Sequence, residues 1–165
     1  MTSPFDATAS MLGYLFQCRL ALLDAIRRLK HDGSFSVAIE TADDIVFEVA
    51  GSATELLQAK HHVERTGGLG DASPDLWKSI RIWAEGLKAG RWPSDTLHYL
   101  VTTGSAQDGS AASCLRSTSG RDPDGARARL DSVAQSSENK ANEAAYAAYV
   151  VLSPAERLSL LSRVV

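Results

Sequence analysis

Asp44, Gln58 and Lys60 are the residues whose types and spacing lend themselves to chemistry, with Glu40 close by. They lie in the stretch SVAIETADDIVFEVAGSATELLQAKHH, residues 36–62, where apolar β-type runs carry acids at one strand entry and a Gln-x-Lys at another. Carboxylate and amide oxygens are donors that Mg²⁺ accepts while keeping several waters. An ammonium group beside them can hold an attacking water or stabilise charge on a phosphate oxygen, and metal plus lysine suits phosphodiester hydrolysis. The competing reading of the same residues is a surface hairpin with a cross-strand Asp–Lys ion pair, which contributes little to stability.

The elements that must position these groups are two strands and their turn. Ile45, Phe47 and Val49 alternate with Asp44, Val46 and Glu48, the period of a strand with one strongly apolar face. Gly51, Ser52 and Ala53 supply a turn, and Thr54 to His61 reads as the returning strand. A turn centred on Ser52 sets Asp44 opposite Lys60 and Val46 opposite Gln58. Asp44, Gln58 and Lys60 then share one charged face, and Ile45, Phe47 and Val49 share a buried one with Leu57 and Ala59. A turn one residue shorter sets Asp44 against Ala59 and scatters the group, making Asp43 the competing carboxylate. Glu40 ends the preceding run, in which Val37 and Ile39 alternate with Ala38, and reaches the same spot if the chain bends at Thr41 and Ala42.

Carboxylate, turn and Gln-x-Lys together resemble the core of PD-(D/E)xK nucleases in the Mrr-like form, where Gln replaces the second acid. The likeness extends to Gly13, Tyr14 and Gln17 on an N-terminal helix, the segment Glu40 to Ile45, Leu57 to His62, Leu76 to Ile80, and Leu100 to Gly104, in that order. Over roughly residues 8–120 the chain resembles the double-stranded DNA endonuclease domain of CD-NTase-associated bacterial antiphage effectors. The resemblance implies an α/β (α+β), restriction-endonuclease-like fold, with a central mixed β-sheet flanked by helices, and cleavage of double-stranded DNA with Mg²⁺ or Mn²⁺. It puts Asp44, Gln58 and Lys60 in the catalytic positions, Glu40 as a further metal ligand and Gln17 as an accessory group directed at the site. Gln58 departs from the acidic pattern and removes one negative charge from the metal position. A catalytically silent member of the same fold, binding protein or nucleic acid in a defence complex, is therefore the alternative. An RNA nuclease is a third reading, since no residue here reads a 2′-hydroxyl.

The whole chain of 165 residues suits a single domain, and 44% hydrophobic with 22% charged residues is ordinary globular composition. A net charge of −3 gives no support to a broadly basic nucleic-acid binder, leaving local groups such as Lys60, His61, His62 and Arg65, then Lys78, Arg81, Lys88 and Arg91. Two distant cysteines, Cys18 and Cys114, fit reduced thiols in a cytoplasmic protein. The apolar run Met11 to Leu23 is interrupted by Arg19 and has no positive leader, so it reads as neither signal peptide nor membrane span.

In order along the chain, residues 7–30 read as a long core helix with Leu12, Leu15, Phe16, Leu20, Leu22, Leu23, Ile26 and Leu29 at helical spacing. Gly67, Gly68 and Gly70 form a connector, since no phosphate-loop pattern surrounds them. His61 and His62, adjacent on a strand, point to opposite faces and cannot share a metal. Ser73-Pro74-Asp75 starts a second helix with Leu76, Ile80, Trp83, Ala84 and Leu87 inward, and Trp77 widens that stripe. Thr96 to Thr103 is a buried strand, so residues 54–103 make a β-α-β unit whose last strand runs parallel to its neighbour. Short helices follow at residues 111–116, 124–134 and from Ser136, and Ser153 with Glu156 forms a capping box before a last apolar helix. Residues 121–165 thus read as a helical extension. An apolar helix at the end suggests the amino-terminal part of a longer protein, whose further domains, other defence-complex subunits or a second copy would be its partners.

Overall fold

In the computed structural model, backbone is described for residues 8–31, 33–41, 44–60 and 68–165, with side chains for all of these except residues 8–10, 40, 41 and 44. A four-stranded sheet lies between helices on both faces, a mixed α/β architecture. Its strands are β1 (Ser36–Thr41), β2 (Asp44–Val49), β3 (Ser52–Lys60) and β4 (Leu97–Thr102), adjacent in chain order. The first three are antiparallel, and β4 runs parallel to β3 after a crossover through helix α2 (Pro74–Lys88). The β-α-β reading therefore holds.

The β2–β3 hairpin differs in detail from the expected register, and the difference is physical. Ala50 and Gly51 both have positive φ, 52° and 78°, the requirement of a two-residue type I′ turn. This turn pairs Val49 with Ser52, a shorter loop than one centred on Ser52. Carried along the strands unchanged, that register would put Asp44 and Lys60 on opposite faces. A bulge at Thr54 inserts one residue, so Phe47 faces Glu55, Val46 faces Leu56 and Ile45 faces Leu57. Thr54 fastens the bulge by donating its hydroxyl to the Phe47 carbonyl at 3.1 Å. The expected pairs Asp44–Lys60 and Val46–Gln58 are thus corrected by two residues, while even-numbered residues still oppose even-numbered ones.

A charged sheet face opposed to a buried one is also corrected, because both faces are covered. Val46 and Leu56 belong to the large core beneath α2, which also holds Trp77, Ile80, Trp83 and Leu130. Ile45, Phe47 and Leu57 meet helix α1 (Thr8–Arg28) through Ala21, Leu20 and Ala25. α1 is not the core helix its apolar residues suggested: Leu12, Leu15, Leu22, Leu23, Ile26 and Leu29 are exposed. Its roll is fixed by charge. Arg28 bonds Glu55 through both guanidinium nitrogens at 2.5 Å each and lies 4.0 Å from the centre of the Phe47 ring. Holding Arg28 over Phe47 and Glu55 turns the leucines on the far side of the helix away from the sheet.

Beyond β4 the chain is helical: α3 (Ala111–Leu115), α4 (Pro123–Ser136), α5 (Glu143–Val150) and α6 (Pro154–Leu161), with a 3-10 turn at Lys140–Asn142. Trp77, fully buried, packs edge-on to Tyr146 and Tyr149 and donates its indole N–H to the Asp71 carbonyl at 2.7 Å, the core role expected of it. The Ser153–Glu156 capping box is present with both reciprocal bonds. Leu160, Leu161 and Val164 are buried in the same core, and His98 of β4 exchanges backbone hydrogen bonds with Arg163 and Val165.

Candidate active site

Gln58 and Lys60 occupy alternate positions near the end of β3, so the pleat directs both toward the α2 face along with Leu56. Gln58 is almost wholly buried, and its Oε1 accepts a hydrogen bond from the Ser79 hydroxyl of α2 at 3.2 Å. The same hydroxyl lies 3.0 Å from the Asp75 carbonyl one turn earlier, so its single proton is shared between two acceptors. Ser79 was not singled out from the sequence. Its signal was a polar residue three positions after Leu76, inside an apolar stripe.

Lys60 is half-buried and pairs with Thr102 of β4; its carbonyl accepts from the Thr103 amide at 3.3 Å. The Thr102 hydroxyl oxygen accepts from the Gly104 amide at 2.9 Å. Asp44 opens β2, where it pairs with Thr41 of β1, one residue before Ile45, whose partner on β3 is Leu57. Glu40 falls at a register shift in β1, between the pairs Ile39–Ile45 and Thr41–Asp44. The side chains of Glu40 and Asp44 lie outside the described residues, as do Asp43, His61 and His62. Gln17 belongs to α1 and hence to the helix on the other face of the sheet. Its Oε1 is buried and accepts no hydrogen bond from a described residue. The sheet therefore brings Gln58 and Lys60 to one face, and it places the helix of Gln17 across from them.

The electrostatics around this face are mixed. Of the basic residues of α2, Arg81 lies 3.4 Å from Glu85 and Lys88 pairs with Glu156 at 3.0 Å, while Lys78 is exposed. Glu156 is held down to about 2 by the Ser153 amide and by Lys88. Also on the α2 face, His98 stacks on Trp83 at 5.2 Å and meets the edge of Trp92. Burial, reinforced by the Arg163 charge, lowers its pKa to about 4, so it is a neutral core residue at physiological pH. On the opposite face Glu55 raises Arg28 above its ordinary value through their hydrogen bonds, and Tyr99 is raised by burial and by the same carboxylate.

Among the described residues, no three His, Cys, Asp or Glu side chains gather as a cation set. Of the expected oxygen donors, Gln58 alone can be judged. Its carbonyl retains acceptor capacity beyond the Ser79 bond, but its burial under α2 fits a group that orients neighbours better than an open ligand. No family model, no curated protein and no solved structure matches this chain.

Proposed function

We propose that the chain is a metal-dependent endonuclease of restriction-endonuclease-like fold that hydrolyses double-stranded DNA, acting as an effector domain in bacterial antiphage defence. The reading rests on the resemblance of its motifs and on one structural observation. The Thr54 bulge restores the parity that the tight turn at Ala50 and Gly51 would otherwise break. With that parity, strand alternation from Val46 would assign Asp44 to the face of Gln58 and Lys60 in this reading.

In this reading Asp44 and Glu40 would hold Mg²⁺ or Mn²⁺, with Gln58 as a supporting group that orients the ligands around the ion. The bound ion would supply positive charge at the scissile phosphate and lower the pKa of a water. Lys60 contributes a cation to a non-bridging phosphate oxygen as negative charge builds there. Ser79 fixes the Gln58 amide so that its remaining acceptor and its N–H₂ group keep one orientation. Bulk charge gives no help in holding DNA, so the contacts depend on Lys60, Lys78 and the metal itself.

The test is cleavage of supercoiled plasmid by the purified chain with Mg²⁺ or Mn²⁺, with chelator, and with Lys60→Ala or Asp44→Ala. Metal-dependent nicking that falls about 100-fold or more in each variant is expected. Equal cutting by both variants would end the assignment. The second reading, a silent module, draws on the burial of Gln58 and the acidic partners of Arg81 and Lys88. It predicts no cleavage and no change in Mn²⁺ affinity on Asp44→Ala.

A further inference from the structure

The side of α1 turned away from the sheet carries large apolar residues in a regular order. Leu12, Leu15, Leu22, Ile26 and Leu29 repeat at steps of three and four once Arg19 is counted in the one intervening place. That is the a/d spacing of a helix seam. All six are exposed, Leu22 at 62% and Leu29 at 60%. Met11 and Leu23 widen the stripe on either side and are exposed as well. On a helical wheel this stripe sits opposite Ala21 and Arg28, the residues packed on the sheet.

Size and pattern together select the occupant. The exposed fractions of these seven apolar residues amount to between three and four whole side chains, roughly 700 Å² at about 200 Å² for each. That exceeds the largest apolar patch of most monomers and approaches the roughly 800 Å² that each partner contributes to a standard interface. The pattern is also self-complementary. An antiparallel pairing of two copies of α1 sets Leu12 against Leu29, Leu15 against Ile26 and Arg19 against Leu22, each layer joining an a to a d position. A parallel pairing would press Arg19 against its own copy.

We infer that the outer face of α1 is a homodimer interface, closed by an antiparallel α1 of a second copy about a two-fold axis. Arg19 lies within the seam and weakens it, its stem packed on Leu22 and its guanidinium reaching solvent. The inference does not depend on nuclease activity, because it uses the helix face remote from Gln58 and Lys60.

Sedimentation equilibrium of the 165-residue chain from about 1 to 100 µM tests it, with circular dichroism to confirm folding. The mass should rise from the monomer's 17.7 kDa toward twice that value. Leu22→Glu should raise the dimer dissociation constant about 100-fold or more, and Arg19→Leu should lower it at least about 10-fold. A wild-type chain that remains monomeric throughout overturns the inference and leaves the stripe to a different protein partner. Folded Leu22→Glu dimerising as tightly as wild type overturns it too, as does Arg19→Leu with unchanged or weaker association. The Arg19 variant decides the matter if Leu22→Glu fails to fold.

Discussion

Two helices cover the two faces of the sheet, and they do so in opposite ways. α2 presses Leu76, Trp77, Ile80 and Trp83 into the interior and leaves Lys78 outside. α1 presents its small residues Ala21 and Ala25 to the sheet, uses Arg28 to meet Glu55, and holds its leucines outward. Apolar content marks a helix, but which side of it is covered depends on what the sheet offers. Beneath α2 lie Val46, Leu56 and His98; beneath α1 lie Phe47 and the carboxylate of Glu55, which the Arg28 guanidinium meets with two hydrogen bonds.

The contrast is broken most directly by truncation. Trp77→Ala should cost about 3–5 kcal/mol in urea unfolding, from a fully buried indole and the loss of its bond to Asp71. Leu22→Ala, measured where the chain is monomeric, should stay within about 0.5 kcal/mol. Comparable losses at both sites would mean that the two faces are not different in kind.

A smaller effect should follow pH. His98 takes up a proton near 6.5 when unfolded but only near 4 when folded, so between those values the unfolded chain binds more protons. Stability is therefore full above pH 6.5 and declines as pH falls toward 4, by roughly 3 kcal/mol from this residue. His98→Phe should flatten that part of the pH profile. Glu156 acts in a lower window, since its contribution is present above 4.5 and is lost as pH falls toward about 2. A wild-type profile already flat between pH 4 and 6.5 would contradict the buried neutral imidazole on the α2 face.

The smallest change concerns the turn that sets the strands between the two helices. Ala50 holds a positive φ that favours Gly or Asn, so Ala50→Asn should raise stability by about 1 kcal/mol, read as a higher urea midpoint. No gain, or a loss, would show that the left-handed turn is not the source of the register.

Much of the fold was legible in the residues. Period-2 alternation gave the strands, Ser73-Pro74-Asp75 the start of α2, and Ser153 with Glu156 the last cap. The same-face parity of Gln58 and Lys60 followed from a two-residue step along one strand. What was not legible depended on contacts between distant segments. The bulge at Thr54 arises from a turn at Ala50 and Gly51, and Ala is not a residue that announces a left-handed conformation. The roll of α1 is set by Arg28 meeting Glu55, 27 residues away in sequence. Ser79 acquires meaning only once Gln58 lies under it.

The central claim is that the ends of β2 and β3 gather a cation-binding acid and Lys60 on the α2 face. Anomalous diffraction from a crystal soaked in Mn²⁺ addresses it directly. The account predicts a peak against the Asp44 carboxylate, close to Gln58 and on the same side of the sheet as Lys60. No peak there at saturating Mn²⁺, or an Asp44 carboxylate on the α1 side of the sheet, would contradict it.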